Sequence, residues 1–300
     1  MDILVAGGTG FVGSALCEEL KKRDHQVTAL ARNPPADAPV AVEKADITNY
    51  DPLPKIVEGF DAVVNLVSLS PLYHPKGGAK AHESVTVTGT RNLVRAMEST
   101  DVDRFIQISA LGASPDGPTA YIRAKGRADG IIRTADLDWT IVQPSVIFGE
   151  GDEFVQFIKQ VTTPVITGLP GADTAKFQPI WVQDFVSIIG TILEADEHIG
   201  ETYEIGGPDI FTLREVTQLI YAAQNSSVKI IPIPIVLAKI GFAIAAPIPF
   251  IPFGPDQARS LQFDNTTTEN ALEEFGRDPT QLMSLGAYLS GDRDAPESRT

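Results

Sequence analysis

From its first residues the chain alternates short apolar runs with amphipathic stretches. ILVA at 3–6, QVTAL at 26–30, a run at 40–44, DAVVNLV at 61–67, RFIQIS at 104–109 and WTIVQ at 139–143 read as strands. Between them, apolar residues recur at helical spacing over 11–23, 80–98 and 120–135. The strands lack polar alternation, so both of their faces should be covered, which is the pattern of a parallel sheet flanked by helices. The expected fold is a doubly wound α/β architecture.

After Gly149 the rhythm breaks. A short helix at 153–160, a Gly/Pro loop at 163–175, FQPIWV at 177–182, a helix to 194, a strand TYEIGG at 202–207 and a helix at 212–223 precede a proline-rich apolar segment. The expected organisation is a nucleotide-type α/β domain over 1–150 with 177–207 returning to it, a small mixed lobe from 151–176 and 208–290, and a flexible tail over 291–300. Such a lobe in doubly wound proteins covers the carboxyl ends of the strands, where ligands bind.

Composition narrows the function classes. With 43% hydrophobic residues the chain has ample material for a core, and 39 acidic against 24 basic residues give a net charge of −15. That balance repels phosphate backbones and excludes nucleic acid as the main partner. The dispersed surplus reads as a solubility device suited to high salt, where screening reduces self-repulsion. The single Cys17 excludes an intrachain disulfide and a multi-cysteine metal site, and the four histidines are scattered, so no metal is expected. His74 and His82, in or beside the loop YHPKGG, read as loop or surface residues. The first residues pass from a strand into a glycine turn without the flanks of a signal peptide, and with the lone cysteine this points to the cytoplasm. Residues 230–253 carry one charge, Lys239, but prolines 232, 234, 247, 249 and 252 break them into pieces too short for a spanning helix. Packing of the small lobe is the plain reading of this segment, with an apolar substrate channel or a face resting on a membrane or membrane complex as the functional one. Oligomeric state is left open.

The strongest local signal is GGTGFVG between strand and helix. Gly7 allows a sharp turn, Gly10 lets backbone approach a pyrophosphate, Gly13 lets helix pack on strand, and Thr9, Phe11 and Val12 complete the loop around the helix N-terminus. The second strand ends in Ala31 and Arg32, where NAD binders usually carry an acid, so a cation is available for a 2′-phosphate and NADP(H) is favoured over NAD(H). Asp46, followed by Ile47 in KADIT, sits where its carboxylate accepts from the adenine amino group, or else caps the turn.

Tyr121 and Lys125 are four apart on a predicted helix and share a face, with Ser109 ending a strand upstream. A lysine ammonium lowers the pKa of a neighbouring phenol, which then exchanges a proton with a carbonyl oxygen that a serine hydroxyl holds. These residue types suit hydride transfer between a carbonyl or alcohol and a nicotinamide.

On these pieces, with VVNLV (63–67), TGTRNLV (88–94), ISALGA (108–113), IVQPSVIFG (141–149) and FQPIWVQD (177–184), the sequence resembles the short-chain dehydrogenase/reductase superfamily in its extended or atypical branch. Within it, YIRAKGRADG and PSVIFGEGDEFVQF look most like the nucleotide-binding accessory subunit of respiratory complex I and its prokaryotic relatives. The resemblance implies a Rossmann domain holding NADP(H) and a small C-terminal lobe, and assigns Tyr121, Lys125 and Ser109 as the catalytic trio. It also implies nicotinamide-ribose contacts at Val67 and Ser68 and carboxamide contacts at Pro144, Ser145 and Val146. Two positions depart from the family: Thr86 stands where an asparagine is usual and Gln143 where an arginine is usual. The expected function is an NADP(H)-dependent oxidoreductase acting on a small or apolar carbonyl or alcohol, quinone- or isoprenoid-like ligands included. The alternatives are a non-catalytic accessory or assembly protein holding the cofactor and, third, a nucleotide-sugar epimerase or dehydratase.

Overall fold

The computed structural model describes residues 1–234, 255–260 and 263–291. The chain forms two compact units: Met1–Leu69, Pro75–Pro144 and Phe185–Glu204 make the first, and Ser70–His74, Ser145–Asp184 and the chain from Ile205 onward the second.

In the first unit, β1 (Asp2–Ala6), β2 (Gln26–Ala31), β3 (Ala41–Lys44), β4 (Ala62–Asn65), β5 (Arg104–Ile108) and β6 (Asp138–Pro144) lie in the order β6-β5-β4-β1-β2-β3. All five pairings run parallel. A strand from later in the chain, Thr202–Ile205, joins beyond β6. Ile141 N–H donates to Glu201 C=O and Ser145 N–H to Ile205 C=O, so the two strands advance together and this pairing is parallel as well. The order reverses between β1 and β4, the switch point at which doubly wound sheets bind ligands outside the strand carboxyl ends. Helices α1 (Phe11–Lys22), α2 (Leu53–Val57), α3 (Ala79–His82), α4 (Gly89–Met97) and α5 (Ala120–Ile132) supply the crossovers. One core cluster joins Leu4, Leu30, Val63, Leu93, Met97, Phe105 and Ile132, all fully or nearly fully buried. Each such side chain contributes about 1.5–3 kcal/mol of burial free energy.

The helical run expected over 80–98 is real but not uniform. Between α3 and α4 the residues Glu83–Thr88 form a π-helical turn, a wider winding that leaves local backbone groups re-registered and recurs near functional sites.

The second unit holds α6 (Glu153–Val161), capped by the Asp152 carboxylate, which accepts from Val155 N–H at 2.7 Å. It also holds a ten-residue helix, Leu213–Ala222, which opens with a capping box between Thr212 and Glu215. The Gly/Pro loop expected at 163–175 is corrected here: Val165–Pro170 is a strand, paired in parallel with Val228–Ile233. Thr167 and Leu169 on one strand, with Val228 and Ile230 on the other, are buried. The ladder partner lies far along the chain, so local composition could not reveal it; the prolines are tolerated because each strand has an open edge. A core of Phe148, Phe154, Ile158, Leu213, Val216 and Ile220 fills this unit. Of the apolar segment 230–253, residues 235–253 lie outside the described residues, as does the tail from 292. Among the described residues no helix is long and apolar enough to cross a membrane.

Candidate functional site

The glycine loop joins β1 to α1. Gly7 has φ +84°, a conformation only glycine adopts without strain. Its N–H donates to Leu30 C=O and its own carbonyl accepts from Gly10 N–H at 3.0 Å. A Cβ on Gly13 would run into the Gly7 carbonyl oxygen and stand 2.7 Å from Gly8 Cα, so the helix can lie this close to the strand only without a side chain there. Gly10 is different: an added Cβ would meet only Gly7 O, at 3.3 Å, so open space adjoins it. Gly10 is the N-cap of α1, no side chain caps the first turn, and no acid lies within it. Backbone N–H groups and the positive helix end are thus left for an anion, with open space at Gly10 for a pyrophosphate. The donor set fits a dinucleotide. Gly8, a position the sequence reading passed over, packs on β2: its Cβ would come within 2.7 Å of Ala29 Cβ.

At the end of β2 the Arg32 guanidinium is exposed and lies 3.9 Å from Asp46 Oδ2. Asp46 Oδ1 accepts from the Thr48 N–H at 2.9 Å and the Thr48 hydroxyl at 2.8 Å, which makes it the cap of its own turn. Ile47 is buried, and its carbonyl accepts from the Asn92 side chain at 2.9 Å. Across the switch point Asn65, fully buried, donates to Gln107 Oε1 at 2.9 Å and accepts from Val67 N–H at 3.1 Å. This fixes the chain as it leaves β4 towards Val67 and Ser68, and places Val67 against the Gly7 turn.

The Thr119 hydroxyl caps α5, accepting from Ile122 N–H at 3.2 Å, and the helix carries Tyr121, Lys125 and Asp129 at successive four-residue steps on one face. Tyr121 hydrogen-bonds Ser68; burial pushes its phenol up to about 12, and the Asp129 charge adds to that while the Ser68 bond opposes it. His82, read from sequence as a loop or surface residue, is instead buried in α3, its ring edge-on to Tyr121 with centroids 5.9 Å apart. The helix begins at Ala79, beside the expected start, and it is the packing of this position against Tyr121 of α5 that buries it. Thr86, in the π-helical turn, is buried, and among the described residues its hydroxyl has no hydrogen-bond partner.

Lys125 is buried, donates to Ile108 C=O at 2.6 Å and has its Nζ 5.9 Å from the Tyr121 ring centroid. Burial brings its ammonium down to about 8, against the opposing attraction of Asp129. Ser109 donates its hydroxyl proton to Asp129 Oδ2 at 2.7 Å, and Gln143 Nε2 donates to the same oxygen at 3.0 Å. Burial raises the Asp129 pKa, while these two hydrogen bonds and the Lys125 and Arg133 charges act the other way. Asp129 was missed in the sequence although its spacing from Tyr121 and Lys125 was a signal for it.

Pro144 ends β6, and its carbonyl accepts from Leu111 N–H at 3.0 Å. Ser145 and Val146 belong to the second unit. There the Ser145 hydroxyl and the Val146 N–H both bond Asn265 Oδ1, at 2.7 and 2.8 Å. Among the described residues no group of three or more potential ligands is placed to hold a metal.

Residues 7–177 match the family described as NAD(P)H-binding. The chain is 30% identical over 298 residues to the mitochondrial NADH dehydrogenase [ubiquinone] 1 alpha subcomplex subunit 9 of Arabidopsis thaliana, covering 90% of this chain and 71% of that one. It is 22% identical to a photosystem II assembly factor of Synechocystis, over 96% of this chain and 90% of that protein. In fold it is similar to a human epimerase family protein solved with NADPH, with a TM-score of 0.73, 21% identity and coverage of 97% and 98% of the two chains. The glycine loop, the reversed strand order and these likenesses agree: the chain belongs to the NAD(P)H-binding family of Rossmann proteins.

Proposed function

We propose that the chain holds a nicotinamide dinucleotide, NADP(H) before NAD(H), as a long-lived resident of its first unit and serves as an accessory or assembly component of a membrane-associated redox complex. The observation that carries this reading is the Ser109 hydroxyl. A serine has one proton to give, and here it goes to Asp129, so it does not polarise a substrate carbonyl. A bound nicotinamide supplies or accepts a hydride; the residues around it must then move a proton. Tyr121 is a weak proton donor for that step, because burial, with the Asp129 charge, pushes its phenol up to about 12. The glycine loop would hold the pyrophosphate, and Arg32, only loosely paired with the exposed Asp46, would reach a 2′-phosphate. The relatives' names, an NADH dehydrogenase subunit and a photosystem assembly factor, support the role as a complex component.

A second reading, hydride transfer to an apolar carbonyl or quinone, is favoured by the Tyr121–Lys125 pair on one face of α5. The two are separated by titrating the protein with NADPH and NADH, following nicotinamide fluorescence, and then challenging the loaded protein with quinones and apolar carbonyls. Resident binding predicts NADPH that stays reduced and an affinity unchanged in Tyr121→Phe. Oxidation that disappears in Tyr121→Phe would replace the resident reading with the oxidoreductase one, and absence of nucleotide binding would sink both.

A further inference from the structure

We infer that Asp129 is a positioning residue of the nucleotide site: its buried carboxylate, pinned by the Ser109 hydroxyl and the Gln143 amide, is the counter-charge that keeps Lys125 an ammonium ion bonded to the Ile108 carbonyl. Its consequence for nucleotide affinity rests on the NAD(P)H-binding reading above; the charge relation itself does not.

The geometry is specific. Asp129 follows Lys125 by one helical turn, and the two are 0% and 2% exposed. A buried carboxylate persists as an anion only when donors and cations compensate its lost hydration. Here both donors converge on Oδ2, from the residue that follows β5 and from β6, and among the described residues Oδ1 has no hydrogen-bond partner. What remains for that oxygen is the field of nearby cations. The two coupled to it are Lys125 and Arg133, and Arg133 is exposed and reaches Thr202, where water screens it. Lys125 is therefore the buried partner. Among the described residues, the charged groups on the helical elements packed on α5 are exposed or have partners of their own. On α3 and the π-helical turn, Lys80 is exposed and Glu83 pairs with Arg127; on α4, Arg91 is exposed and Arg95 lies over the Tyr50 ring. His82 faces Tyr121.

This assignment changes the role of Ser109 and of the departure at Gln143. Neither touches a substrate in this scheme; both act through Asp129 on Lys125. It also explains why the buried lysine keeps its charge near neutral pH in spite of a burial that favours the neutral amine. A neutral Lys125 would lose its attraction for the electron-rich ribose and pyrophosphate of a bound dinucleotide.

The test uses the full chain carrying ¹³C-labelled lysine and aspartate, with the Lys125 and Asp129 signals followed by NMR from pH 6 to 9, and NADPH fluorescence titrations over the same range. In the unsubstituted protein Asp129 should report an ionised carboxylate at pH 7, with Lys125 titrating near 8. Asp129→Asn, which keeps the size and removes the charge, should lower the Lys125 midpoint by about one pH unit and weaken NADPH binding about threefold at pH 7.5, approaching tenfold only above pH 8. The alkaline loss of affinity should move down by the same interval, and Asp129→Glu should restore the midpoint. A protonated Asp129 at pH 7 overturns the inference without any variant. So does a folded Asp129→Asn protein with an unmoved Lys125 midpoint, or one whose NADPH affinity falls by one factor at every pH. If the unsubstituted protein binds no NADPH, the function proposed above fails, while the two titrations still decide the Asp129–Lys125 relation.

Discussion

Gly10 and Gly13 lie three residues apart in one loop, yet the structure predicts that replacing each by alanine does different damage. At Gly10 the backbone angles, φ −83° and ψ 178°, suit any residue, and the new methyl would meet only Gly7 O at 3.3 Å. The cost to the fold is that of a poorer N-cap, about 1 kcal/mol or less, or a fall in Tm of about 2–4 °C for a chain of this size. At Gly13 the methyl would press on the Gly7 carbonyl and stand 2.7 Å from Gly8 Cα. Backbone cannot rotate away as a side chain can, so α1 must shift off β1, an overpacking cost of about 1–3 kcal/mol or more. For the nucleotide the order reverses in cause: Gly10→Ala fills the space a pyrophosphate needs, whereas Gly13→Ala distorts the loop that surrounds it. The assay is thermal unfolding with and without NADPH. At a ligand concentration about 100 times Kd the unsubstituted protein gains about 2.7 kcal/mol; Gly10→Ala should keep nearly its full intrinsic stability and lose that gain. If Gly10→Ala melts as low as Gly13→Ala, the glycines serve only a tight turn. If it keeps the whole NADPH-induced gain, no pyrophosphate approaches there, and the nucleotide reading loses its structural basis.

Further outcomes follow from individual side chains. Arg32→Ala should weaken NADPH about 10- to 100-fold, the worth of a charge-assisted phosphate contact, and leave NADH unchanged; equal losses for both nucleotides in fluorescence titrations would remove Arg32 from the 2′-phosphate site. Ser109→Ala leaves Asp129 with one donor fewer and should cost about 1–3 kcal/mol in denaturant unfolding; no measurable cost would mean that the Ser109–Asp129 bond contributes nothing to the fold. Asp184, buried in the second unit and accepting from Met283 N–H at 3.0 Å, is pushed by burial from 3.8 up to about 6. Its folded pKa exceeds its unfolded one, so its contribution is most favourable below about 4 and is lost as pH rises through 6, up to about 3 kcal/mol. Asp184→Asn should therefore raise stability at pH 7 and flatten its pH dependence between 4 and 6, and a curve that keeps its slope there would refute the assignment. With a net charge of −15, unfolding should move to higher temperature in molar KCl than in low salt; equal stability in both would show that self-repulsion is not a significant term.

How far the sequence disclosed the fold depended on how local each cause was. β1, β4 and β5 are mostly apolar and buried on both faces, so the runs ILVA, AVVN and RFIQI declared a buried parallel sheet without knowledge of their neighbours. The strand at Val165–Pro170 gave no such sign. It contains a glycine, ends in proline and begins with Val165 at φ +73°, all marks of a loop, and exists because Val228–Ile233 lies alongside. The π-helical turn was invisible for a related reason: the apolar spacing of 80–98 is helical in either winding, and only the hydrogen bonds distinguish them. His82 falls within the helical run expected over 80–98, and its burial is decided by packing against Tyr121 on α5, which the local sequence does not record.

The site divides along the same line. The residues of the glycine loop, Tyr121 and Lys125 could be named from spacing because their geometry is set within one turn and one helix. Ser109 could be named too, but which way its hydroxyl serves is decided by two residues on other elements, Asp129 on α5 and Gln143 on β6. A motif records that a hydroxyl stands at the end of a strand; it does not record what competes for the proton. In water-excluded surroundings an anionic acceptor outcompetes a neutral carbonyl for that proton, because hydrogen bonds to charged groups are roughly twice as strong. As long as Asp129 is ionised, then, a carbonyl brought to this site would find Tyr121 as its sole hydroxyl donor of the expected trio. The trio can thus be complete in the sequence while the site lacks one of its functions.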